Sequence, residues 1–257
     1  MKKFLGMLVL LAMLAFPKQV AQAQSASFPQ QVSDSVVLLY QQDESGGMQM
    51  LCTATAYRKM EKGAGYRFAS ASHCVEGKTE TEQKAAKYFV TLDTNGAKTF
   101  IPASLVESGD KMKGDDFSIF LVKSDKEIPI VPLGDEKKLS LGSPVINIAA
   151  PLGLGKQFFQ GYISEMKIDR PPLNAGDVNW HDAMLINIGG GPGSSGSSVV
   201  STDQHAIIGF LVGSTNANIG VIVIPVSQFK DFETKVDAGT YKKTKEAEDK
   251  LEDIDIP

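Results

Sequence analysis

Residues 189–200 read Gly-Gly-Gly-Pro-Gly-Ser-Ser-Gly-Ser-Ser-Val-Val, and the interpretation of the whole chain depends on this stretch. Five glycines and a proline within eight residues indicate tight turns, or a close approach of another group to the backbone. The two valines then begin an apolar strand. A flexible linker has a similar composition, so the remaining sequence must decide between a functional loop and a linker.

The first 23 residues are predicted to be a secretory signal peptide. Lys2 and Lys3 precede an apolar run over residues 4–16, and residues 21–23 read Ala-Gln-Ala, a typical cleavage site. An uncleaved N-terminal anchor is the alternative, although the run is short for a membrane span. We expect cleavage after Ala23, no stable insertion in the membrane afterwards, and a periplasmic or secreted protein.

The net charge and the few metal-binding residues exclude several classes of partner. The formal net charge is −4, which argues against nucleic acid because phosphate binding needs a basic surface. His73, His181 and His205 are scattered, so the sequence predicts neither a metal site nor a cofactor. Cys52 and Cys74 are the only cysteines, and in an exported chain a disulfide between them is expected. A thiol nucleophile beside His73 is the alternative.

About a dozen short apolar runs separated by turns predict an all-β fold of one or two barrels or sandwiches. Residues 76–87 are charged and weakly helical, and we interpret them as a solvated surface loop. Residues 227–236 are compatible with a short closing helix. The charged residues 237–257 are predicted to be a disordered tail, with partner binding as the alternative.

Three segments carry residue types that together perform acyl transfer. His73 follows a predicted strand, Asp116 opens another, and the glycine-rich loop presents Ser195. A serine hydroxyl needs a base, which His73 would supply, and Asp116 would orient the imidazole. The N–H groups of Gly193 and Ser195 would bind the developing oxyanion. The order histidine, aspartate, serine is that of chymotrypsin-type enzymes and differs from subtilisins and α/β-hydrolases.

The chain resembles trypsin-like (chymotrypsin-fold) serine proteases over about residues 32–232. Residues 71–75, Ala-Ser-His-Cys-Val, resemble the family's Ala-Ala-His-Cys signature, and residues 193–197, Gly-Ser-Ser-Gly-Ser, resemble its Gly-x-Ser-Gly-Gly signature. Residues 151–155, 161–164 and 220–226 are similar to segments of the HtrA/Deg branch and of other short bacterial or viral members. We expect no PDZ domain of the kind usual in HtrA/Deg enzymes.

This resemblance implies two six-stranded antiparallel β-barrels, with the catalytic residues at their junction. The first barrel would span about residues 32–122 and the second about 131–225, within a protease domain of residues 24–236. The family's common histidine-loop disulfide would then be Cys52–Cys74, which ties the strand entering the first barrel to the residue after His73.

Several neighbours compete for the proposed roles. Asp115 is the rival of Asp116, which is preferred because it directly precedes the Phe-Ser-Ile-Phe strand. Ser194 and Ser197 are rivals of Ser195, which alone has glycine after it and two places before it.

The specificity pocket is predicted to accept small or apolar side chains. Gly189, six residues before the nucleophile, carries no charge. Gly190 and the strand residues Phe210, Leu211 and Val212 would complete an apolar lining. The sequence therefore predicts a serine endopeptidase acting on polypeptides, with a catalytically inactive protease-fold binding protein of the cell envelope as the alternative.

Overall fold

A computed structural model describes residues 27–61, 65–75, 79–94, 97–168, 180–215 and 219–243. The predicted signal peptide and residues 244–257 of the predicted tail lie outside these described residues.

The first six strands close into one antiparallel barrel in the order β1-β2-β3-β6-β5-β4. Their side chains are rich in β-branched and aromatic types, which suit a pleated, buried surface. The bounds of the strands are β1 Val36–Gln42, β2 Met48–Lys59, β3 Tyr66–Ser70, β4 Tyr88–Thr94, β5 Ala97–Ser108 and β6 Ser118–Val122.

The next six strands close into a second antiparallel barrel in the order β10-β11-β12-β9-β8-β7. The prediction of an all-β fold with two six-stranded barrels is therefore confirmed. The bounds are β7 Pro144–Ala149, β8 Gln157–Ile168, β9 Ala183–Asn187, β10 Ser198–Ser201, β11 Ala206–Ser214 and β12 Val221–Pro225.

In the described part of the chain, three α-helices accompany the barrels: α1 Phe28–Ser35, α2 Glu80–Ala85 and α3 Val226–Asp237. Helix α3 is the closing helix expected from the sequence. Helix α2 lies where we predicted a solvated loop, because Thr79 and Glu82 form a reciprocal capping box that satisfies the first N–H groups of the helix. No helix in the described part of the chain is both long and apolar enough to cross a membrane.

The core between the two barrels is built from aromatic side chains. Phe117 precedes β6 of the first barrel, Phe210 lies on β11 of the second, and Phe229 and Phe232 come from α3. All four are essentially inaccessible to solvent. The ring of Phe229 lies 5.3 Å from that of Phe117 and 4.7 Å from that of Phe210, so α3 joins the barrels at the level of their junction.

A buried carboxylate fixes α3 to the first barrel. Glu233, only 3% exposed, accepts hydrogen bonds from Tyr57 at 2.6 Å, Arg58 at 2.7 Å and Arg67 at 3.1 Å. Buried charges are tolerated where they are paired in this way. The chain remains packed on the domain beyond the end of α3, since the Tyr241 ring lies edge-on against Phe232 with 4.8 Å between the ring centroids. The attached part thus extends past residue 237, where the sequence predicted the disordered tail to begin.

Candidate active site

A hydrogen-bonded pair of His73 and Asp116 lies at the junction of the barrels. His73 belongs to a short 3-10 turn, Ser72–Val75, that follows β3, and Asp116 lies just before β6. Strands β3 and β6 are paired, with Ser70 opposite Ser118, which brings the two loops together. His73 Nδ1 lies 2.7 Å from Asp116 Oδ2.

The Asp116 carboxylate is fully buried and saturated with donors. Its Oδ1 accepts hydrogen bonds from the Ser72 hydroxyl at 2.9 Å and from the His73 backbone N–H at 3.0 Å. Burial by itself would raise the pKa of Asp116, but its hydrogen bonds with His73 and Ser72, together with the charge of His73, hold that pKa below its ordinary value.

The charge on Asp116 fixes the tautomer of His73. An ionised carboxylate can only accept hydrogen bonds, so His73 Nδ1 is the donor in this pair. Neutral imidazole then carries its lone pair on Nε2. The His73 side chain is 30% exposed, so the ring is partly accessible to solvent.

Ser195 lies on the glycine-rich loop between β9 and β10, and that loop docks on the first barrel. The Thr53 N–H of β2 donates to the Ser195 carbonyl at 3.0 Å. At the next residue, Gly196, φ is +79°, and a Cβ would overlap Ser70 Oγ and lie 2.5 Å from the Thr53 carbonyl oxygen. Only glycine allows this close approach, so the loop that carries Ser195 is held beside the turn that carries His73.

The neighbouring serines differ from Ser195 in burial and hydrogen bonding. Ser194 and Ser197 are fully buried. The Ser194 hydroxyl accepts from the Gly191 N–H at 3.3 Å, and that of Ser197 from the Asn147 side chain at 2.8 Å. Ser195 is half-buried, and among the described residues its hydroxyl makes no hydrogen bond.

Two backbone N–H groups of the loop lie free beside Ser195. Within the described ranges, the N–H groups of Gly193 and Ser195 have no hydrogen-bond partner. Gly193 has φ +94°, and a Cβ there would lie 2.8 Å from the Ala150 carbonyl oxygen. Donors left unpaired in a half-buried loop can bind a negatively charged oxygen.

The disulfide expected from the sequence is present. Cys52 of β2 is bonded to Cys74, with a Cα–Cα separation of 6.0 Å. The bond fastens the turn of His73 to the strand whose Thr53 contacts the Ser195 loop. Both sulfur atoms lie close to a ring nitrogen of His73. Metal ligation requires a thiolate, and a disulfide sulfur is not one, so this cluster is not a metal site.

The predicted pocket residues fall into two groups. A Cβ on Gly189 would lie 2.8 Å from the Phe159 ring, and one on Gly190 would lie 2.8 Å from Val221 and 3.6 Å from Leu211. These glycines therefore border an apolar wall.

Phe210 and Val212 lie elsewhere than predicted. Both belong to the inter-barrel core, and Phe210 packs against the Phe229 ring of α3. They serve the core and do not line the pocket.

Two contributors were not identified from the sequence. Ser72, adjacent to His73, donates to Asp116, and its position next to the histidine was the available signal. Thr53 Oγ1 donates to the Gly193 carbonyl at 2.8 Å and accepts from the Ala150 N–H at 3.1 Å. That long-range contact leaves no local pattern in the sequence.

The fold and this arrangement of residues define a chymotrypsin-like peptidase domain. A family model described as "Trypsin-like peptidase domain" matches residues 19–210, and the chain belongs to that family.

Solved structures of HtrA-type proteases have a similar fold. The HtrA-type protease AlgW with decapeptide has a TM-score of 0.64 at 17% identity, over 84% of this chain and 69% of that one. AlgW with tripeptide gives 0.63 at 20% identity, over 83% and 65%. Deg5 gives 0.61 at 17% identity, over 79% and 89%. The chain thus spans just under two thirds of the AlgW chain in the tripeptide structure, and identities this low show the fold alone.

Proposed function

We propose that this protein is an exported serine endopeptidase that hydrolyses peptide bonds through an acyl-enzyme on Ser195. The observation that carries the proposal is the hydrogen bond between the partly exposed His73 and the buried Asp116, together with a half-buried serine whose hydroxyl is not engaged elsewhere in the described structure. Neither the neighbouring Ser194 nor Ser197 combines this exposure with a free hydroxyl.

In the first step, Ser195 Oγ attacks the carbonyl carbon of the scissile peptide bond, and its proton passes to His73 Nε2. The carbonyl oxygen becomes an oxyanion that accepts hydrogen bonds from the N–H groups of Gly193 and Ser195. The buried Asp116 carboxylate stabilises the imidazolium that forms.

In the next step, His73 returns the proton to the nitrogen of the leaving amine, and the C–N bond breaks to give the acyl-enzyme. A water molecule then attacks the ester carbonyl, with His73 again taking the proton. Collapse of the second tetrahedral intermediate releases the carboxylic acid and regenerates the Ser195 hydroxyl.

The neighbours of Gly189 and Gly190 support a preference for small or apolar substrate side chains. The wall beside Gly189 and Gly190 is formed by Phe159, Val221 and Leu211. An apolar wall makes burial of a charged side chain unfavourable, because the charge would lose its hydration without a partner.

The disulfide supports export. A bond between Cys52 and Cys74 forms and persists in oxidising compartments such as the periplasm or the extracellular space. This agrees with the signal peptide predicted from residues 1–23.

Cleavage of an unfolded protein substrate by the processed protein tests the proposal. Ser195→Ala and His73→Ala are each expected to lower kcat by about 10³-fold or more. Ser140→Ala removes an exposed hydroxyl before β7 and serves as the matched control with unchanged activity. Equal cleavage by wild type and Ser195→Ala would contradict the proposal, and a lack of cleavage by wild type would favour an inactive binding protein.

A further inference from the structure

The segment that follows α3 lies on the loop that carries Asp116. Gly239, with φ +64°, ends the helix, and the Thr240 and Tyr241 N–H groups donate to the Lys235 carbonyl at 2.9 and 3.2 Å. The chain thereby turns back, and the Tyr241 ring packs against Phe232.

The Tyr241 hydroxyl joins both ends of that loop. It accepts a hydrogen bond from the Asp110 N–H at 2.8 Å and donates to Asp115 Oδ2 at 3.2 Å. Next to these contacts in the chain, Lys113 Nζ donates to the Lys242 carbonyl at 2.6 Å. Tyr241 therefore contacts both ends of the loop that leads to Asp116.

The loop itself is closed by backbone hydrogen bonds. The Asp115 N–H donates to the Asp110 carbonyl at 3.0 Å, and the Phe117 N–H donates to the Asp115 carbonyl at 2.8 Å. A Cβ on Gly109 would overlap the Asp115 carbonyl. The hydrogen bonds of the Asp115 N–H and carbonyl groups thus hold the backbone on both sides of Asp115, directly before Asp116.

We propose that Tyr241 is a positioning residue, whose hydroxyl holds the 110–115 loop so that the Asp116 carboxylate meets His73 in the geometry needed for proton transfer. This inference rests on the proposed function. The segment after α3 lies outside both barrels and contains none of the three proposed catalytic residues. Its contact with the 110–115 loop can still affect the rate, because small displacements of a catalytic group have large effects on rate.

Tyr241→Phe keeps the ring against Phe232 and removes only the hydroxyl. We expect kcat to fall about tenfold while KM stays within about twofold, since the carboxylate acts on proton transfer and not on substrate binding. Asp115→Ala removes the same hydrogen bond from the other side. It is expected to give a similar loss, and the double variant is expected to be no worse than either single variant.

Tyr57→Phe is the matched control. It also loses a buried hydroxyl–carboxylate hydrogen bond, the 2.6 Å contact with Glu233, but that bond involves no residue of the 110–115 loop. We expect Tyr57→Phe to lower the melting temperature and to leave kcat unchanged.

Proton NMR of the His73 Nδ1–H separates this inference from the proposed function. The far-downfield resonance expected from its hydrogen bond to Asp116 should move upfield or broaden in Tyr241→Phe and stay unchanged in Tyr57→Phe, whether or not the protein cleaves substrates. A wild-type resonance with wild-type kcat in a folded Tyr241→Phe would overturn the inference. Failure of the wild type to cleave, with the resonance still shifted by Tyr241→Phe, would overturn only the proposed function.

Discussion

His73 Nδ1 and Asp116 Oδ2 lie 2.7 Å apart, although 43 residues separate them in the chain. The pairing of β3 with β6 brings their loops together, and the second oxygen of Asp116 is occupied by Ser72 and the His73 backbone. A carboxylate held on both oxygens has little freedom to rotate, so the imidazole is fixed in one orientation and one tautomer.

The hydrogen bond to His73 Nδ1 distinguishes Asp116 from Asp115. Asp116→Asn is expected to lower kcat by about 10⁴-fold, because an amide can hold the imidazole in the wrong tautomer. Asp115→Asn keeps an oxygen that accepts from Tyr241 and should retain most of the activity. Steady-state kinetics of the two folded variants check the assignment, and the reverse order of losses would make Asp115 the catalytic carboxylate.

We expect catalysis to require glycine at position 193 because there is no room for a side chain, and not only because of its positive φ. A methyl group at this position would meet the Ala150 carbonyl oxygen at 2.8 Å and displace the Gly193 N–H, which is proposed to bind the oxyanion. Gly193→Ala should therefore lower kcat by about 10²–10³-fold.

Gly142 provides the matched control for that variant. It has φ +80°, and no atom lies within 4 Å of the position that an added methyl group would occupy, so Gly142→Ala introduces similar backbone strain without a clash. It should lower stability by about 1–2 kcal/mol and leave kcat unchanged. Equal kinetic effects of the two variants would show that strain alone accounts for the loss.

Loss of the disulfide is expected to destabilise the first barrel. Replacing Cys52 and Cys74 together by alanine should lower the free energy of unfolding by about 3 kcal/mol, because the unfolded chain gains conformational freedom. Urea unfolding with and without reductant measures this change. Reductant should lower the midpoint for the wild type only, and an unchanged wild-type midpoint would contradict the prediction.

The apolar wall beside Gly189 and Gly190 predicts substrate preference. In a series of peptides that differ only in the residue on the acyl side of the scissile bond, kcat/KM should be at least about tenfold higher for alanine, valine or leucine than for lysine or glutamate. Gly190→Val would crowd Val221, because even a Cβ at this position would lie 2.8 Å from its side chain, and should reduce cleavage after leucine more than after alanine. A preference for lysine or glutamate would contradict the apolar pocket.

The all-β class was predictable because short strands and their turns are local features of the sequence, whereas the two six-stranded barrels and the meeting of His73 with Asp116 were implied by the family resemblance. Phe210 was misplaced for a physical reason. Strand β11 is buried on both faces along most of its length, since the barrel interior covers one side and α3 covers the other. A strand buried on both faces shows no alternation of apolar and polar residues, so its sequence does not indicate which side chains face a pocket.

Contacts between distant segments could not be predicted in the same way. Thr53 and Gly193 are 140 residues apart, and Tyr241 meets Asp115 only after the chain has completed both barrels and α3. No local pattern encodes such pairs. Helix α2 is different, because Thr79 and Glu82 form a capping box that the sequence already contained.

The central claim, that Ser195 is a nucleophile activated by His73, is tested most directly by labelling with a fluorophosphonate. We expect one adduct on the processed wild-type protein, located by mass spectrometry at Ser195, and no adduct on Ser195→Ala or His73→Ala. Ser140→Ala should label like the wild type. Equal labelling of the wild type and Ser195→Ala would contradict the account.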